Sequence, residues 1–142
     1  MSAASKPRPS LDGPERPFWE GLRDGRILVQ RCLSCGLHRF PASKACPACH
    51  GTDFEWSAVD GRGEVVSFCV FHKCYFPGFA DEMPYAVVQV RLAGSGVQFF
   101  SNVVGVPPGA IAVGMPVVAV FERVDEALTL LKFRPAAGEA AR

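Results

Sequence analysis

The sequence predicts a mainly β protein: a short N-terminal helix, a small metal-clipped ribbon and then a five-stranded OB-type barrel. Three observations carry this. Two Cys-x-x-Cys pairs, Cys32/Cys35 and Cys46/Cys49, stand ten residues apart. Downstream of them, apolar residues recur with a period near two in runs of strand length, separated by Gly, Pro and Asp clusters. No stretch in that region carries a helical period over ten or more residues. A chain of 142 residues has room for one ordinary domain, or for a small one plus a metal-stapled module too small to build its own core.

Residues 1–13 are rich in Ser, Pro and small side chains without periodicity, the composition of a disordered arm. Phe18, Trp19 and Leu22 then fall at i, i+1, i+4 among charged residues, which predicts a short amphipathic helix stopped at Gly25. The run ILVQRC reads as a strand entering the first cysteine pair, so the helix and ribbon occupy residues 14–52.

Each Cys-x-x-Cys presents two sulfurs on one side of a tight turn, and two such knuckles complete a four-thiolate site. Gly36 follows the first knuckle, where a positive φ lets backbone amides face the sulfurs, and Pro47 stiffens the second. Cys32, Cys35, Cys46 and Cys49 are therefore the predicted ligands of one zinc ion, and a closed four-sulfur set is structural. Iron accepts the same four sulfurs, and His50 beside Cys49 is the alternative nitrogen ligand.

The barrel is predicted over residues 53–135. Its first strand is long, about residues 55–71, with a bulge or bend at DGRG (60–63). The others cover about residues 85–92, 97–104, 116–124 and 128–133, with AGSG (93–96) turning a hairpin between the second and third. Closing five strands into a barrel removes the edges that an open sheet would expose. Residues 136–142 are a flexible small-residue tail. Cys69 and Cys74, five apart, would sit on the order of 16 Å from each other on an extended strand and cannot bridge there; they read as small buried hydrophobes.

The connection at 71–85 is unusual for a loop because it carries Phe71, Tyr75, Phe76, Phe79 and Tyr85. Tyr75, Phe76, Phe79 and Tyr85 are the candidate ligand or partner residues: they either cap the barrel end or offer a sticky surface. His72 and Cys74, two apart, would share a strand face as base and nucleophile if the strand continued, but no third group orients the histidine.

A net charge of +1 gives no overall field to attract nucleic acid or an anionic membrane, and the basic residues of the barrel are scattered. The longest apolar runs fall far short of the roughly 18 to 20 residues that span a bilayer. The first residues lack the apolar core of a signal peptide, which points to a cytoplasmic setting where paired cysteines bind metal rather than form disulfides.

The motifs PFWEGLRDGRILVQRC, CGLHRFP, CPACHG, EWSAVDGRGEVVSF, PYAVVQVRL, VGMPVVAVFE and LLKFRP, in that order, resemble domain-of-unknown-function family 35 over about residues 17–135. The resemblance implies an N-terminal helix beside a rubredoxin-like zinc ribbon, followed by an OB-fold. It further implies a non-catalytic partner of a thiolase-like enzyme (thiolase, retro-aldolase or acyltransferase) that helps scaffold or position an acyl-CoA thioester in lipid, steroid side-chain or polyketide-type metabolism. Cys32, Cys35, Cys46 and Cys49 fall on the family's metal ligands. Two rival readings are a single-stranded nucleic-acid-binding module, which zinc ribbons and OB barrels also serve, and a free-standing acyl-CoA thioesterase.

Overall fold

The computed structural model describes residues 6–136; the first five residues and the tail from 137 lie outside it. Helix α1 (Arg16–Arg23) buries Phe18, Gly21 and Leu22, the face set by the apolar spacing. It ends where Gly25 takes φ +73, a conformation that a side chain resists. Strand β1 (Ile27–Cys32) follows and pairs antiparallel with both β2 (His38–Arg39) and β3 (Phe54–Val59). The ribbon is this three-stranded sheet, in the order β2-β1-β3.

The barrel strands are β4 (Arg62–Phe71), β5 (Tyr85–Leu92), β6 (Gln98–Ser101), β7 (Pro116–Arg123) and β8 (Thr129–Pro135). They form one curled sheet in the order β6-β5-β4-β7-β8. A parallel bridge between Val103 and Phe133 carries the chain beyond β6 onto β8, giving an OB-like half-barrel. As expected, AGSG turns β5 into β6, with the Gly96 amide donating to Leu92 O at 3.0 Å.

The run at 55–71, expected as one bent barrel strand, is two strands in different sheets. β3 completes the ribbon and β4 opens the barrel, and the chain changes sheets at Asp60 and Gly61. Gly63 lies against the neighbouring strand so closely that a Cβ there would sit 2.4 Å from the Arg91 carbonyl oxygen. The bulge falls later, between Val65 and Ser67. It shifts the inward alternation by one residue, so Phe68 and Val70 share a face with buried Val88 and Ala86 while Cys69 turns outward.

That shift corrects the reading of Cys69 as buried: it is exposed. Cys74 is exposed as well, because β4 ends at Phe71 and leaves it in the loop, where its thiol bonds the Phe76 carbonyl at 3.0 Å. The end of β4 also takes His72 and Cys74 off any common strand face.

One core joins ribbon and barrel. Ile27 and Val29 of β1 and Phe18 and Leu22 of α1 are buried in the same cluster as Val65, Val88, Val90, Phe99, Val117 and Phe133. Phe18 is the tie: its ring lies 4.7 Å from that of Phe40 in the ribbon and 5.8 Å from that of Phe99 in the barrel. No helix among the described residues is long and apolar enough to cross a membrane.

Candidate metal centre and apolar cavity

The two knuckles have the same backbone plan. In the first, the Cys32 amide donates to Leu37 O (2.9 Å) and the Gly36 amide to Cys32 O (2.9 Å). In the second, the Cys46 amide donates to Gly51 O (2.9 Å) and the His50 amide to Cys46 O (2.8 Å). Each turn closes on a residue with positive φ, Gly36 at +82 and His50 at +65. Position 50 is thus a turn position, and the cluster of ligand atoms consists of the four cysteines.

The four sulfurs all lie within 4.8 Å of one another, with Cys32 to Cys49 and Cys35 to Cys46 each at 3.6 Å. Sulfurs placed tetrahedrally at about 2.3 Å from one zinc ion would be about 3.8 Å apart, so the set fits a single ion. Further amides face the sulfurs: Ala48 to Cys46 at 3.4 Å and Gly51 to Cys49 at 3.4 Å. Amides of Cys35 and, more weakly, Ser34 bring the Cys32 thiol down to about 6 despite desolvation. The Cys49 amide chiefly lowers Cys46 in the same way. At Cys49 the Gly51 amide also favours the thiolate, but the crowding sulfurs, that of Cys32 foremost, push it up to about 11.

The spacer between the knuckles is held by a buried polar network that spacing did not disclose. Arg39, 6% exposed, donates through Nε to Gln30 Oε1 (2.9 Å) and through Nη2 to Ser43 O (3.2 Å). Gln30 Oε1 also accepts the Ser43 amide (2.9 Å), and the guanidinium lies 5.3 Å from the Phe54 ring centre. The sequence signal was a Gln and an Arg placed at inward strand positions, each needing partners if buried.

The candidate loop aromatics divide into two pairs. Phe79 and Tyr85 are half-buried and stacked, with centroids 5.1 Å apart and planes at 19°, and Tyr85 stacks on Phe71 at 5.3 Å. Tyr75 and Phe76 point to solvent, 62% and 51% exposed. Phe79 and Tyr85 line a mainly apolar cavity of about 410 Å³, together with Leu128 and Leu130. Residues 6–9, expected within a disordered arm, form another of its walls: Lys6 lies 4.9 Å from the Phe79 ring centre and pairs with Glu82, while Arg8 Nη1 meets Asp125 Oδ2 at 2.8 Å. Arg8, helped by the amides of Ala127 and Leu128, holds the Asp125 carboxyl below the usual carboxylate range.

The profile described as "ChsH2, rubredoxin-like zinc ribbon domain" matches residues 19–55, and "ChsH2, C-terminal OB-fold domain" matches residues 56–122. Over 133 residues the chain is 38% identical to a probable enoyl-CoA hydratase alpha subunit of Thermomonospora curvata, spanning 94% of this chain but 41% of that subunit. It is 31% identical to a DUF35 domain-containing scaffold protein of Methanocaldococcus jannaschii, spanning 76% of this chain and 77% of the relative. A benzoylsuccinyl-CoA thiolase subunit, BbsA of Thauera aromatica, is 32% identical over 62% of this chain and 60% of the relative. Among solved structures, a chain of "Ltp2-ChsH2(DUF35) aldolase" superposes with a TM-score of 0.81 at 37% identity, over 91% of this chain and 99% of that one. Profiles, scaffold relative and fold agree with the four-cysteine ribbon and the half-barrel described above: the chain belongs to the DUF35 family, which joins a ChsH2-type zinc ribbon to an OB-fold.

Proposed function

We propose that this chain is a non-catalytic, cytoplasmic accessory subunit of a thiolase-type enzyme that processes a CoA thioester. Cys32, Cys35, Cys46 and Cys49 hold one structural Zn²⁺. The ribbon and the loop at 71–85 dock on the enzyme. The observation that carries the reading is the likeness at 0.81 TM-score and 37% identity, over 99% of its length, to a chain of the Ltp2-ChsH2(DUF35) aldolase. The names of the hydratase and thiolase subunits among the relatives point to the same CoA chemistry.

The local chemistry supports it. When bound, the ion supplies a crosslink between the knuckles, because four sulfur ligands leave no position for water or substrate. Leu33 (55% exposed) and Leu37 sit on the first knuckle, and Tyr75 and Phe76 stand at the barrel end; large apolar groups held in solvent suit burial against another protein. The cavity beside Phe79 and Tyr85 has the size and apolar lining to take an acyl group of the thioester.

The test is copurification with a thiolase-type enzyme from the same cell, followed by the mass of the reconstituted complex. Leu33→Asp and Tyr75→Asp should leave the free chain folded and weaken the complex at least tenfold. Absence of a complex with such an enzyme, or thiol release from CoA esters by the chain alone, would overturn the reading.

A further inference from the structure

The half-barrel leaves one seam that no described strand covers. On one side β4 pairs with β5 along its length, but on the other β7 reaches only Arg62, Gly63 and Glu64. Val65 completes that side, donating its amide to Met115 O at 3.0 Å and accepting the Gly114 amide at 2.7 Å. Beyond the bulge, antiparallel alternation turns Ser67 and Cys69 toward β5 through their backbone groups, and turns the N–H and C=O of Phe68 and Val70 away from it. Among the described residues, no loop or turn backbone bond falls on Phe68 or Val70.

Residues 65–71, VVSFCVF, carry neither charge nor proline, the usual guards of an open edge. Phe68 is 38% exposed there, and Val113, next to the Gly114 that bonds Val65, is 66% exposed.

We propose that this edge is an interaction surface for a second copy of the chain, the two β4 strands pairing antiparallel about a two-fold axis at Cys69. The edge is complementary to itself in this register. Phe68 faces Val70 of the other copy and Val70 faces Phe68, so all four outward backbone groups on each strand find partners. Phe68 and Val70 share the barrel-facing side, which sets each exposed ring against a valine across the axis. Cys69 occupies the axial, non-hydrogen-bonded pair, where antiparallel Cα atoms approach to about 4.5 Å. That spacing lies within the range of about 4.4 to 6.8 Å that a disulfide accepts, which makes Cys69 a reporter of the register.

The experiment uses the full zinc-loaded chain. Sedimentation under reducing conditions should show a dimer at micromolar concentration, and mild oxidation should crosslink it through Cys69. The crosslink should persist in Cys74→Ser and vanish in Cys69→Ser, which remains a dimer under reducing conditions. Cys69→Lys places like charges opposite each other at an exposed position and should raise the dissociation constant about fivefold without altering circular dichroism. Val70→Pro removes an edge amide and should give a monomer. A chain that stays monomeric overturns the proposal and leaves the edge to a strand of a different protein. A dimer without the Cys69 crosslink and indifferent to both substitutions overturns it as well.

Discussion

The two metal-binding turns share a hydrogen-bond plan but not a foundation. Cys32 ends β1, and the chain past Gly36 returns at once as β2, so the first knuckle is the turn of a hairpin whose strands it joins. The second lies in the segment between Arg39 and Phe54, which contains no strand. It is tied to the sheet by the spacer network of Gln30, Arg39 and Ser43 on one side and by the Leu33 amide donating to Asp53 O (3.0 Å) on the other. The first turn takes its left-handed residue as Gly36, without steric cost; the second takes it as His50. One metal ion would thus join a turn that the fold already specifies to one that it specifies weakly.

Removing the metal is the strongest way to break the comparison. Structural zinc sites supply on the order of 10 to 16 kcal/mol of apparent binding free energy, which here would fall mainly on the second knuckle. Chelation, or Cys46→Ala, should abolish amide-exchange protection over residues 43–53 while β5 stays protected. Equal loss at both knuckles would show that the first also depends on the ion.

The spacer network should come next. Arg39→Ala leaves Gln30 and the Ser43 carbonyl short of partners in a buried place and should cost about 1 to 3 kcal/mol in denaturant unfolding. The glycine asymmetry is smaller and has opposite signs. Gly36→Ala should destabilise by about 1 kcal/mol and His50→Gly should stabilise by about as much, read from thermal midpoints of the zinc-loaded chain.

The smallest effect is electrostatic and belongs to the metal-free chain. Cys32 is depressed to about 6, so its contribution to stability is complete above the ordinary thiol range and lost as pH falls toward 6. The amides that lower Cys32 belong to the first knuckle, so thiolate absorbance of the metal-free chain should show a low step that is lost in Cys32→Ser.

The legible parts of the fold were those determined locally. Cys-x-x-Cys spacing brought out the four sulfurs, the i, i+1, i+4 pattern the buried face of α1, and AGSG the hairpin between β5 and β6. Residues 55–71 misled because alternation is the same in a strand of either sheet, and the choice between them is made by remote partners, β1 for one half and β5 for the other. Cys69 misled through a single bulged residue, which reverses every side chain after it without changing the composition. The seat of residues 6–9 was hidden for another reason: Arg8 meets Asp125 across nearly the whole chain, and an isolated charge in a proline-rich stretch does not name its partner.

Phe18 gives the molecule a built-in gauge. Its ring touches Phe40, which adjoins Arg39 in the spacer, and Phe99 in the barrel; Trp19 lies edge-on to it at 5.1 Å. Loosening of the spacer on metal loss would therefore reach an indole within one ring of the barrel core. Trp19 emission should report the state of the ribbon from inside the intact chain, with no label attached.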